Sequence, residues 1–252
     1  MAVGLMLFAI AACNTNSSNN QPVTTTTNSG TTTAPPASEV EKRGNALVRV
    51  VHVLPAMAAA DLFAGETKIF EGVAYKTVTS YKEIPIERQM MRLRLAGQDT
   101  AQPLTENSER FGKGDYYTIL ILADDDSNEA ELLFVDDDLA PPASGKARVR
   151  VINASYDVGD VDVYAAGRTE PLFSKVAFSS KPTYAEIDPL SGALDVRLAG
   201  KNITALTVPA ARLDAGKIYT IIIAGRAKGA SKLEAITIED GFGGAATSAT
   251  NR

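Results

Sequence analysis

Cys13 and His52 are the only thiol and the only imidazole in the 252-residue chain. One thiol excludes an intramolecular disulfide and any multi-cysteine metal site. One imidazole excludes every multi-histidine metal centre. A Ser-His-Asp triad would have to be built on His52, and a Cys-His pair would need both singletons. The remaining groups with chemistry are carboxylates. The densest runs are Asp124-Asp125-Asp126 and Asp136-Asp137-Asp138, and such clusters can bind Ca²⁺. A strand running from Glu131 to Val135 separates them. At roughly 3.3 Å per residue it places them near opposite ends of a domain, so they cannot share one ion. The first reads as a hairpin turn with solvated charges. Asp136, Asp137 and Asp138, joined by Asp115, form the weak calcium candidate. A facing carboxylate pair in a groove would permit glycosidase-like hydrolysis, a remote alternative. No catalytic residue and no cofactor is expected.

The elements that position these groups are strands. Arg148-Val-Arg-Val-Ile152, Val161-Asp-Val-Tyr164 and Leu194-Asp-Val-Arg-Leu198 alternate apolar with polar at period two. Tyr117-Thr-Ile-Leu-Ile-Leu122 and Tyr219-Thr-Ile-Ile-Ile223 are β-branched runs suited to strands covered on both faces. The pattern occurs twice. Ala46-Leu-Val-Arg-Val-Val51 matches Ala147-Arg-Val-Arg-Val-Ile152, and Gly114-Asp-Tyr-Tyr-Thr-Ile119 matches Gly216-Lys-Ile-Tyr-Thr-Ile221, at offsets of 101 and 102 residues. Each unit therefore predicts about seven short strands, and the chain is all-β, with two tandem immunoglobulin-like β-sandwich domains. The units are 45–138 and 147–240, joined by a linker at 139–146 and followed by a flexible tail at 241–252. Two prolines stiffen the connector, and each unit is expected to fold alone.

Within this frame His52 lies in phase with Val48 and Val50, at the end of its strand. Asn153 occupies the matching place, and Asp61 matches Asp162. The four read as polar braces, with His or Asn bonding a loop or the next strand's Asp. Tyr117 and Tyr219 are in phase with Ile119 and Ile221. They are expected to be buried, each with a hydroxyl bracing a loop as in the immunoglobulin tyrosine corner.

Ahead of the repeats lies an apolar run, Ala2 to Ala12, too short to span a bilayer as a helix. It ends Ala9-Ile10-Ala11-Ala12-Cys13. This resembles the bacterial lipobox, in which small residues admit the signal peptidase and the thiol accepts diacylglycerol. No Lys or Arg precedes the run, a departure from the usual signal. The reading is a lipoprotein signal peptide at 1–12, lipidation at Cys13, and a Thr/Asn/Ser/Pro-rich tether at 13–44 with few apolar side chains to offset chain ordering.

Val149-Arg-Val-Ile-Asn-Ala-Ser155, Asp157 and Val161-Asp-Val-Tyr164 resemble the opening of the bacterial domain-of-unknown-function 4397 family, DUF4397. Phe173-Ser-Lys-Val-Ala-Phe178, Tyr184, Val196-Arg-Leu-Ala-Gly200 and Ala215-Gly-Lys-Ile-Tyr-Thr-Ile221 fit it too. The first repeat keeps His52 but has Val53-Leu54-Pro55-Ala56 where the family has Ala-Ser-Pro-Asp. The resemblance implies secreted or surface-anchored immunoglobulin-like domains, often in tandem, with no catalytic residues to carry over.

The charge balance is 25 Lys+Arg against 30 Asp+Glu. That excludes the basic stripe of a nucleic-acid binder. The function expected is a structural, adhesive or binding role at the cell envelope, without catalysis. The membrane is engaged through lipid on Cys13, at the outer membrane or cell surface if the host is Gram-negative. An envelope protein or polysaccharide is the partner class. The alternative is a small-ligand or glycan-binding surface lipoprotein, against which the absence of Trp weighs.

Overall fold

The computed structural model describes residues 42, 44–55, 57–124, 129–228, 231–241 and 246–250. All fall within one compact unit, Thr32–Arg252. The signal segment, Cys13 and nearly all of the tether lie outside the described residues.

The first repeat contains β1 (Asn45–His52), β2 (Ala60–Ala64), β3 (Thr67–Val73), β4 (Lys82–Pro85), β5 (Glu87–Leu95), β6 (Thr105–Phe111), β7 (Tyr116–Ala123) and β8 (Ala130–Asp136). The second contains β9 (Ala147–Asn153), β10 (Val161–Ala165), β11 (Phe173–Val176), β12 (Ala185–Ile187), β13 (Leu190–Leu198), β14 (Thr204–Leu213), β15 (Ile218–Ala224) and β16 (Glu234–Asp240), and is followed by β17 (Ala246–Thr250). Each repeat is a pair of sheets. The inner ones run β4-β1-β7-β8 and β12-β9-β15-β16-β17; the outer ones run β3-β2-β5-β6 and β11-β10-β13-β14. The first strand of each repeat pairs in parallel with the seventh, Val48 beside Tyr117 and Val149 beside Tyr219.

Period-two alternation sends every inner-sheet strand in two directions. Val48, Val50, Ile119, Ile121 and Phe134 face the core of their own sandwich, as do Val149, Val151, Ile221 and Ile223 in the second. Toward one end of these strands the intervening residues are also apolar. Val51, Leu120, Leu122, Leu133 and Val135 form a third core with Ile152, Ile222, Ile236 and Ile238. The four sheets therefore stack as outer, inner, inner, outer. Full burial is worth about 1.5–3 kcal/mol per Val, Leu or Ile side chain, so this face is a core and not a casual contact.

This corrects two sequence expectations. The repeats are not independent modules on a semi-stiff connector, because their inner sheets share apolar burial. The connector is itself tied down. Asp138 pairs with Arg148 at 2.6 Å, and the Ala143 N–H donates to Glu186 at 2.8 Å. The tail is not wholly free of structure either: β17 pairs antiparallel with β16, Ala249 beside Ala235 and Thr247 beside Thr237. Its small and β-branched residues suit a strand on an open ladder, although no hydrophobic period announces it.

Candidate functional site

The most concentrated set of reactive side chains lies between the inner sheets. Arg49 on β1 and Arg150 on β9 occupy matching positions, on the strand face opposite their own sandwich cores. Their side chains are 4% and 0% exposed. Each Nε donates to a threonine hydroxyl of the same repeat, Arg49 to Thr118 and Arg150 to Thr220, both at 2.8 Å. Each guanidinium then crosses to the other repeat. Arg49 Nη2 donates to Asp240 at 2.5 Å, and Arg150 Nη2 donates to Asp137. The carboxylates also accept bonds from their own repeats. Tyr81 and Thr118 donate to Asp137 at 2.6 and 2.7 Å, and Tyr184 and Thr220 donate to Asp240 at 2.9 and 2.6 Å. Arg49 lies 5.0 Å from the Tyr81 ring centroid and Arg150 lies 4.5 Å from that of Tyr184. The result is a closed, nearly two-fold arrangement of two Arg, two Asp, two Thr and two Tyr.

Electrostatics follow from that closure. Burial alone would raise the Asp137 carboxyl. The nearby Arg150 and Arg49 guanidiniums and the Tyr81 and Thr118 hydroxyls outweigh it and hold the group below the ordinary carboxylate range. Burial would lower Arg49 and Arg150, but the neighbouring carboxylates and tyrosines overcome it and both are raised. The Tyr81 and Tyr184 phenols are pushed up, chiefly by burial. The cluster is thus charged and self-neutralising, with its guanidiniums and carboxylates buried and Tyr184 half-buried at its rim. A further tie crosses at the opposite end of β16 from Asp240: Tyr75 donates to Glu234, and Lys76 pairs with the same carboxylate at 2.5 Å.

The calcium candidate does not assemble, and this is a correction. Alternation along the chain turns neighbouring aspartates to opposite sides. Asp136 is exposed, and its carbonyl takes a bond from Arg150 at 2.7 Å. Asp137 is inside the cluster, Asp138 points outward to Arg148, and Asp115 lies by the Tyr117 hydroxyl at 3.4 Å. Among the described residues no three His, Cys, Asp or Glu side chains are placed to hold a metal ion. Asp125 and Asp126 lie outside the described residues.

The brace residues take up matched positions. His52 is fully buried; its Nδ1 accepts the Leu54 N–H at 3.3 Å and its Nε2 faces the Ala58 carbonyl at 3.4 Å. Asn153 repeats this with Ser155 N–H at 3.1 Å and the Gly159 carbonyl at 2.9 Å. Asp61 and Asp162 are not their partners, contrary to one expectation. Asp61 accepts the N–H groups of Gly72 and Gly97 at 2.7 and 3.1 Å, and Asp162 accepts those of Lys175 and Gly200 at 2.7 and 3.0 Å. The hydroxyl of Tyr117 accepts the Gly112 N–H at 2.9 Å, and that of Tyr219 accepts the Asp214 N–H at 3.1 Å, each five residues upstream. A Cβ at position 112 would come within 2.0 Å of the Asp115 carboxylate, so a larger residue there would displace that side chain.

Burial lowers the His52 pKa, against the smaller opposing effect of the Ala58 carbonyl. Stability contributed by neutral His52 is therefore complete above its unfolded value of about 6.5 and is lost as pH falls below it. His52→Asn imports the brace of the second repeat. It should fold, and it should flatten the rise of melting temperature with pH just below 6.5. An unchanged pH profile would show that His52 does not titrate between the folded and unfolded states.

Sequence reasoning missed the cluster itself. Its signal was present: Arg49/Arg150, Tyr81/Tyr184, Thr118/Thr220 and Asp137/Asp240 are identical pairs at offsets of 101 to 103 residues.

The family model described as "Domain of unknown function (DUF4397)" matches residues 46–164 and again 149–251. No curated protein matches the chain in sequence. Among solved structures, one described as "Alpha-glucan binding by a streptococcal virulence factor" is 8% identical, aligning over 74% of this chain and 95% of that one with a TM-score of 0.22. At that score it carries no argument about this chain.

Proposed function

Since the chain belongs to the DUF4397 family, with two copies of its domain, we propose that it serves as a rigid, lipid-anchored module at a bacterial cell envelope, in a structural, adhesive or binding role and without catalysis. One observation supports this reading above the others. The most reactive buried side chains are engaged in holding backbone and repeats together: Asp137 and Asp240 by guanidiniums, His52 and Asn153 by loop backbone, Asp61 and Asp162 by turn N–H groups. Such a body resists bending between its repeats and presents its outer sheets at a fixed distance from each other. The lipobox-like Cys13 gives it a means of attachment.

Detergent phase partitioning in a bacterial host tests the anchor. The wild-type chain should enter the detergent phase, and Cys13→Ala should remain aqueous with its β-sheet circular dichroism intact. Equal partitioning of the two would remove the lipoprotein part of the proposal.

A second reading, small-ligand binding, is favoured by one feature. The second repeat has an open cavity of about 190 Å³ lined by Lys146, Arg168, Leu172, Glu186, Asp188 and Leu190, among others. A neutral or acidic monosaccharide that raises the melting temperature of the full chain, but not of Leu190→Trp, would support it.

A further inference from the structure

The two inner sheets end differently. Among the described residues, sheet order continues past β16 to β17 in the second repeat but stops at β8 in the first. β8 is the positional match of β16 and is apolar on both sides. Leu132 and Phe134 enter the core of the first sandwich, and Leu133 and Val135 enter the core between repeats. Two backbone bonds fix which of its polar groups reach the edge: Asp124 N–H to the Glu129 carbonyl and Asp137 N–H to the Tyr116 carbonyl, both 2.8 Å. With the β7–β8 register, alternation then directs Glu131, Leu133 and Val135 toward β7. The N–H and C=O groups of Ala130, Leu132 and Phe134 point to the outer edge. Arg150 takes the Asp136 carbonyl and closes that end. Edges of this kind normally carry a lysine, a proline or a bulge to discourage pairing. β8 has no Lys or Pro, and its ladder with β7 runs without a register shift.

We propose that the outer edge of β8 is a self-assembly surface whose occupant is β17 of a second copy of this chain. Three observations select that occupant. β17 already serves as the added strand at the matching edge, on β16. Among the described residues its own far side is the last edge of its sheet, so it can pair with β8 without leaving β16. β17, Ala246-Thr-Ser-Ala-Thr250, carries no charged residue and is rich in β-branched threonine. The four-stranded inner sheet of one copy would continue into the five-stranded inner sheet of the next. This contact is heterologous and leaves a free β8 and a free β17 at the two ends, so it propagates unless a ring closes. The inference goes beyond the anchored-module reading and does not depend on acylation.

Sedimentation velocity of the full chain over a concentration series tests it. The average mass should rise with concentration. Ala130→Pro removes an outward N–H from β8 without touching its ladder with β7, and Ser248→Pro disables β17. Each variant alone should lose the rise. Mixed, they should form a one-to-one complex that grows no further, since one supplies β17 and the other β8. Circular dichroism confirms that each variant is folded; Ala130→Lys and Ser248→Lys repeat the test if a proline variant is not. A wild-type chain of constant mass would overturn the proposal. So would persistent association of either variant alone, or a mixture that stays monomeric.

Discussion

Asp137→Ala is expected to lower the stability of the whole two-repeat body by about 3–5 kcal/mol, the cost of breaking a buried ion pair from one side. The substitution leaves the Arg150 guanidinium, fully buried, without its carboxylate, and deprives Tyr81 and Thr118 of their acceptor. A folded protein commonly has only about 5–15 kcal/mol in total. At about 2–4 °C per kcal/mol for a body of this size, the melting temperature should fall by roughly 6–20 °C. Asp137→Ala combined with Arg150→Ala should cost less than the sum of the two, because the second change removes the charge that the first leaves stranded. The pH dependence has a definite sign. The folded-state carboxyl is held below its ordinary value, so its contribution is complete above the unfolded value of about 3.9 and is lost as pH falls through the lower, folded one. Asp137→Asn should therefore show a shallower loss of stability in acid. A melting temperature for Asp137→Ala within a degree or two of wild type would mean that the cluster does not hold the repeats.

Tyr219→Ala should be comparably damaging from a different place. The ring is 5% exposed and packs in the second sandwich core, and its hydroxyl accepts the Asp214 N–H. Truncating a buried aromatic costs about 3–5 kcal/mol. Tyr219→Phe keeps the ring and should cost about 0.5–1.5 kcal/mol, the usual net value of one hydrogen bond. Because the second repeat shares a core with the first, the loss should appear in the melting of the entire body. A Tyr219→Ala curve that overlays wild type would contradict both the buried register of β15 and the shared core.

Much of this architecture can be read in the sequence. Period-two alternation locates the strands, and the phase of Tyr219 with Ile221 and Ile223 places its ring in the core. The uninterrupted runs of β7 and β15 require cover on both faces, although nothing local says what provides it. Arg49 and Arg150 illustrate the limit. Binary patterning reads an arginine opposite a core-facing valine as solvated, because alternation specifies a face and not what covers that face. Their carboxylate partners lie in the other repeat, Asp240 standing 191 positions after Arg49. Asp137 is hidden by its neighbours: in a run of three aspartates, alternation buries the middle one and leaves its companions outside. β17 escapes notice for another reason. An edge strand of alanine, serine and threonine has no hydrophobic period, and its place is set by the open ladder of β16.

Crossed Arg–Asp pairs and a shared apolar core make the two repeats one cooperative body. Differential scanning calorimetry of the full chain tests this most directly. A single transition spanning both repeats is expected, with calorimetric and van't Hoff enthalpies equal. Two resolved transitions, or a calorimetric enthalpy near twice the van't Hoff value, would show two sandwiches melting independently and would contradict it.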